Sequence, residues 1–136
     1  MRVSAKVDYA IRALAELAAA PPGPVASERL AEAQGIPTKF LENILLELRR
    51  SEIVASQRGA EGGYTLARPA AEISLADVIR AVEGPIASVR GSRPDQIAYT
   101  GAATALRDVW LELRASMRDV LEGTSLADLV ERSRPR

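Results

Sequence analysis

The stretch from Ser27 to Arg68 constrains the fold more than any other part of the chain. It sets a short amphipathic helix, a Gly35-Ile36-Pro37 turn, a second amphipathic helix and a glycine-tipped hairpin in immediate succession. Almost no residues are spare between them. That order predicts a helix-turn-helix followed by a wing, a device that lays one helix in a DNA major groove.

The spacing of apolar residues predicts the remaining elements. Val7, Ala10, Ile11, Leu14, Leu17 and Ala18 recur at helical spacing, so the first helix runs from about Ser4 to Ala20. Pro21-Pro22-Gly23-Pro24 ends it, because proline has no amide donor for the helical ladder. Ser27 reads as the N-cap of the second helix, which carries Leu30 and Ala31 inward and stops near Gln34 before Gly35. Thr38 reads as the cap of the third helix, Lys39 to Ser51, with Phe40, Leu41, Ile44, Leu45 and Leu48 inward. Its outer face carries Lys39, Glu42, Asn43, Leu46, Arg49 and Arg50. Ile53 to Gln57 and Tyr64 to Leu66 read as paired strands around the loop Arg58 to Gly63. Ser74-Leu75-Ala76-Asp77 opens a fourth helix with a capping box, and Ser125-Leu126-Ala127-Asp128 repeats that chemistry near the C-terminus.

Residues 84–101 show no period and include Pro85, Gly91 and Pro94. Unstructured connections of this length are usually functional or mobile. The longest helix follows, from about Ala102 to Glu122, closed by Gly123. Its apolar residues at 106, 110, 113, 117 and 120 alternate steps of four and three, with Val109 beside them, which makes a heptad seam. Burial of that seam in its own domain is one reading. Pairing with a second copy is favoured, because a helix of about 20 residues spans roughly 30 Å and overhangs a small body. The expected dimerisation residues are Leu106, Val109, Trp110, Leu113, Met117 and Val120. The expected class is therefore mainly α: a winged helix-turn-helix domain over 1–84 with a small two-stranded wing, a sensor loop over 85–101, and a dimerisation helix with a short terminal helix over 102–136.

Bulk chemistry narrows the functions. The chain of 136 residues contains no cysteine and no histidine. That removes disulfides, Cys/His zinc sites, cysteine-held iron–sulfur clusters and histidine acid–base schemes. Lys6 and Lys39 are the only side-chain amines, and no nucleophile–base set is recognisable, so no catalytic residues and no enzyme are expected. No cofactor or metal is expected, no leader or membrane span is visible, and the expected location is the cytoplasm. Formal net charge is zero, which by itself does not favour a phosphate binder. Residues 1–68 carry nine basic and eight acidic side chains, and residues 69–136 carry nine and ten. Near-neutrality is the best support for the competing reading, a winged-helix protein–protein interaction module. The polarity of the outer helix face argues against it, since interface cores are depleted of charge.

The chemistry of that face is specific. At the start of a recognition helix, Thr38, Lys39, Glu42 and Asn43 are the residues expected at base edges. Lys39 suits guanine or phosphate, Asn43 suits adenine, and Glu42 suits the cytosine amino group. At the wing, Arg58 suits a narrow minor groove, and Gly59 and Gly62 leave the tip without bulk. The bland alternative is a turn that simply needs glycine. Arg49, Lys6 and Tyr9 complete the expected DNA-facing set, as phosphate anchors beside the motif.

Lys6, Tyr9, Ala10, Gly35-Ile36-Pro37, Phe40-Leu41, Leu48, Arg58-Gly59-x-x-Gly62-Gly63-Tyr64-x-Leu66 and Glu83-Gly84-Pro85 together resemble the Rrf-two family of bacterial winged-helix regulators, relatives of the iron–sulfur cluster regulator. The resemblance implies a homodimer on double-stranded DNA, with base contacts near Lys39, Glu42 and Asn43 and a minor-groove arginine at Arg58. In cluster-binding members, cysteines lie in the loop and at the start of the long helix. The corresponding residues 88–106 contain none, so this is expected to be a cysteine-free member, a repressor responsive to a small-molecule effector or partner protein at the loop.

Overall fold

The computed structural model describes residues 2–135, ordered as α1 (Ala5–Ala19), α2 (Ser27–Gln34), α3 (Thr38–Arg50), β1 (Val54–Gln57), β2 (Gly63–Leu66), α4 (Leu75–Val82), α5 (Leu106–Glu122) and α6 (Leu126–Arg132). Short 3-10 turns lie at Ala70–Glu72, Pro94–Gln96 and Gly101–Ala103. The structure is mainly helical with one two-stranded antiparallel sheet, as the periodicity predicted.

One aliphatic core holds the body together. Ala10, Ala13 and Leu14 of α1, Leu30 of α2, Leu41, Ile44, Leu45 and Leu48 of α3, Ile73, Val78 and Leu126 are all fully or almost fully buried. A buried leucine or isoleucine contributes roughly 1.5–3 kcal/mol. The core therefore fixes α3 by four residues on one stripe and leaves its opposite face free.

Four expectations need correction. Ser27 does not cap α2: Ala26 holds the N-cap position, and its carbonyl accepts from the amides of Arg29 and Leu30. Backbone pairing of Val25 with Tyr64, at 2.9 and 2.8 Å, pins the chain just ahead and starts the helix one residue early. Thr38 likewise lies inside α3, because Pro37 is its N-cap and receives the first helical bond from Leu41 at 3.0 Å. Phe40 is not inward; it is 43% exposed and meets Tyr9 edge-on, with ring centroids 5.5 Å apart. Finally, α5 starts at Leu106 rather than near Ala102. The residues before it form a separate 3-10 turn whose Gly101 carbonyl takes the Thr104 hydroxyl at 2.7 Å.

The two capping boxes are formed, and they are neighbours. Ser74 and Ser125 each accept from the amide three residues on at 3.0 Å. Asp77 and Asp128 return the bond to the cap amides at 3.0 and 2.9 Å. The segments ahead of α4 and α6 then pair through Leu75 N–H to the Thr124 carbonyl and Leu126 N–H to the Ile73 carbonyl, both 2.9 Å. Chemistry reused in sequence is joined in space.

Candidate nucleic-acid interface

The turn between α2 and α3 has only three residues, and Gly35 closes α2 in the left-handed conformation. The short turn fixes the angle of α3. Burial of Leu41, Ile44, Leu45 and Leu48 fixes its rotation, which leaves Thr38, Lys39, Glu42, Asn43, Leu46 and Arg50 exposed. Among the described residues, Lys39, Glu42 and Asn43 have no side-chain hydrogen bond or ion pair to a neighbour. Their donors and acceptors are free at the N-terminal half of the helix.

The hairpin pairs Val54 with Leu66, Ala55 with Thr65, Ser56 with Tyr64 and Gln57 with Gly63. Two of its glycines are required by close approach. A β-carbon at Gly62 would stand 2.1 Å from the Gln57 carbonyl oxygen, and one at Gly63 would stand 2.4 Å from the Val25 backbone. Gly59, by contrast, has open space around it. The structural reading of the glycines therefore holds at all three, through positive φ at Gly59 (+110°) and Gly63 (+150°) and through close approach at Gly62 and Gly63, and the space around Gly59 is left clear. Arg58 sits at the end of β1, exposed, with no ion pair among the described residues.

The other sequence candidates are engaged with the protein. Lys6 pairs with Glu47 at 2.8 Å, tying α1 to α3. Arg49 donates to the Ser56 hydroxyl at 3.2 Å, bracing α3 against the wing. Tyr9 contacts Phe40 on its edge and carries the Arg12 guanidinium 5.3 Å above its ring. A further bracing group had no sequence signal. Arg12 donates through Nε to Gln34 Oε1 at 3.1 Å and through Nη2 to the Gln34 carbonyl, locking α1 onto the end of α2 beside the turn. Lone polar residues at helix ends carry no period that marks such a partnership.

Beyond the wing, α5 buries none of its residues fully. Val109 is 52% and Val120 66% exposed, and Leu113 is also exposed. Leu106 and Met117 are half-buried, and half-buried Trp110 donates to the Tyr99 hydroxyl at 3.1 Å. The Val109, Leu113 and Val120 side of the seam is thus left uncovered by its own chain. The loop is closed onto α5 by charge. Asp95 accepts from Arg93 at 3.0 Å and from Arg114 at 3.3 Å, while Arg107 donates to the Asp95 carbonyl at 3.2 Å. The Arg93 hydrogen bond, aided by Arg114, holds the Asp95 carboxyl below its ordinary range.

The chain has clear counterparts among known proteins. A family profile described as "Rrf2: Iron-dependent Transcriptional regulator" matches residues 3–132. The chain belongs to the Rrf2 family. Among relatives, it is 56% identical over 130 residues to a putative HTH-type transcriptional regulator of Mycobacterium tuberculosis, covering 95% of this chain and 81% of that protein. It is 32% identical over 130 residues to the HTH-type transcriptional regulator CymR of Bacillus subtilis, covering 95% and 89%. The solved structure of CymR, titled the global cysteine regulator of B. subtilis, superposes with a TM-score of 0.84 at 30% identity over 98% of this chain and 99% of that one. An IscR structure from T. potens gives 0.81 at 32% identity, over 98% and 89%. This Rrf2 protein is a winged-helix DNA-binding transcription regulator, not an enzyme. No helix among its described residues is long and apolar enough to cross a membrane.

The iron named in the family's description needs donors to hold it. The chain supplies no thiolate and no imidazole. Among the described residues, no three carboxylates converge on a point where they could hold a metal. Between residues 88 and 106 the sole carboxylate is Asp95, and it is already taken by Arg93 and Arg114. These residues do not fit an iron centre.

Proposed function

We propose that the protein is a dimeric repressor that binds a palindromic operator sequence-specifically, without an iron–sulfur cluster, and that an effector at the loop and α5 sets its geometry. The observation that carries this is the exposed, unpartnered row Lys39, Glu42 and Asn43 on a helix whose other face is fully buried. Free donors and acceptors at the start of such a helix match major-groove base edges.

Each side chain has a distinct role. Lys39 donates to guanine O6 and N7 or to a phosphate. Asn43 makes the paired contact to adenine N6 and N7. Glu42 accepts from the cytosine amino group, and it repels phosphates, so it is useful only where it faces a base. Arg58 enters the minor groove from the wing, where a clear tip lets the backbone come close. Thr38 stands with this row at the base edges, and the Gly59 and Gly62 backbone lies against the sugar–phosphate chain. Lys6, Tyr9 and Arg49 act by holding α1 and the wing against α3 while flanking the phosphates.

The open seam of α5 is the dimer contact. A two-fold pair of chains presents two α3 helices to two half-sites, which makes the operator a palindrome spaced by one or two helical turns. An effector that prefers one arrangement of α5 shifts the population of DNA-competent dimers by its differential affinity.

Hydroxyl-radical footprinting tests this on DNA that the protein itself selects from a random pool. Two protected half-sites related by a dyad are expected, with the minor-groove protection lost in Arg58→Ala. A single continuous patch of protection, unchanged by that substitution, would contradict the reading.

A further inference from the structure

The two larger grooves beside α5, about 790 and 510 Å³, are lined in part by Met117, Val120 and Leu113. They belong to the seam already assigned to the second copy. A smaller pocket of about 220 Å³ has different chemistry. It is lined by Arg80 of α4, Pro85, Ile86 and Ala87 of the following loop, Arg93 further along it, and Arg114 and Arg118 of α5. Four of its seven lining residues are arginines and none is acidic.

The arginines are held from outside the pocket. Asp95 fixes Arg93 and Arg114 at one end, at 3.0 and 3.3 Å. Glu122 fixes Arg80 and Arg118 at the other, the latter at 3.6 Å. Both carboxyls are kept below their ordinary range, Asp95 first by Arg93 and Glu122 first by Arg80, so both braces stay charged in neutral solution. Asp77 is shared between Arg80 at 4.0 Å and Arg68 at 3.7 Å. Five guanidiniums therefore meet three carboxylates, and the surplus is two positive charges. A guanidinium has five donors in a fixed fork, so one carboxylate cannot exhaust two of them. The pocket's remaining wall, Pro85-Ile86-Ala87, offers no acidic side chain to take the donors left over.

We infer that this pocket binds a compact dianion, of the phosphate or short dicarboxylate kind, and that the anion is the effector that fixes α5 against α4. A charge surplus of two, planar forks suited to oxyanions, and a volume below the range of drug-sized ligand sites all select for a small doubly charged molecule. The site bridges the last helix of the winged domain, the loop and the dimerisation helix. An anion there adds bonds between three parts whose relative position sets the separation of the recognition helices. The inference rests on the proposed function for its regulatory half; the binding half stands on the pocket alone.

The test uses the full chain with inorganic phosphate in one arm, succinate in a second and chloride at equal ionic strength in a third. Trp110 fluorescence reports binding, since Trp110 lies one turn before Arg114 on α5. At least one dianion is expected to give a saturable change that chloride does not. Arg114→Gln and Arg93→Gln are each expected to weaken it at least tenfold. Arg93 lies on the exposed loop, so its variant keeps the fold if Arg114→Gln does not. No saturable change from either dianion, or wild-type affinity in Arg93→Gln, overturns the site. Saturating anion is also expected to change operator affinity at least fivefold at constant ionic strength. Saturable binding with unchanged operator affinity overturns the regulatory half. Saturable anion binding by a protein that binds no operator under any condition keeps the site and removes the proposed function.

Discussion

Arg58 and Lys6 show how position separates two cations that read alike in sequence. Arg58 has no partner among the described residues, whereas Lys6 spends its charge on Glu47. Arg58→Ala is expected to cost about 1–3 kcal/mol of operator affinity and to flatten the salt dependence by about one ion, with an unchanged melting temperature. Parallel anisotropy and thermal melts check both halves. Glu42→Ala should act differently, relaxing discrimination at one base pair while weakening binding to other sequences little. Gly63 carries a stability prediction instead. Its φ is +150°, and an added β-carbon would meet the Val25 backbone at 2.4 Å. Gly63→Ala is expected to destabilise the fold by about 1–3 kcal/mol through overpacking, measured by chemical denaturation.

At the scale of elements, the paired capping boxes join the winged domain to the C-terminal helix. Ser125→Ala removes the acceptor for the Asp128 amide and is expected to lower stability by about 1 kcal/mol. Asp128 adds a pH signature. Hydrogen bonds from the Ser125 backbone and hydroxyl hold its carboxyl below the ordinary value, so the folded state binds its proton less readily than the unfolded chain does. The stability this gives is complete above the ordinary carboxyl range near pH 4 and is lost as pH falls through the lowered value. Melts from pH 6 to pH 3 should therefore fall less steeply for Asp128→Asn than for the native chain. These boxes were legible because their chemistry is local, a serine and an aspartate three residues apart. The starts of α2, α3 and α5 differ from the sequence reading by one to four residues: α2 depends on the long-range Val25–Tyr64 pairing, while at α3 and α5 a proline cap and a 3-10 turn at Gly101–Ala103, both local, take the place of the expected threonine cap and first helical turn. The exposed row Lys39, Glu42, Asn43 was visible from spacing alone. The Asp95 clamp was not, since its arginines lie at 93, 107 and 114, on a loop with no period and a helix read for its apolar side.

For the whole molecule, the open seam of α5 and the exposed row of α3 belong to one proposed assembly. A long helix that fully buries none of its residues leaves Val109, Leu113 and Val120 in water, and the proposed pairing with a second copy would remove them from it. A Val109→Glu, Leu113→Glu double variant is expected to sediment as a folded monomer and to lose at least tenfold in operator affinity, because one half-site contact remains where two acted together. Near-zero net charge is compatible with the proposed arrangement, since it asks for only a few placed cations at the DNA. The most direct measurement is fluorescence anisotropy of chelator-treated protein on its selected operator, titrated with excess competitor DNA across a salt series. Tight binding is expected that survives competitor, falls steeply with salt and needs two chains per operator. Weak binding, erased by competitor and restored only by added iron, would contradict it.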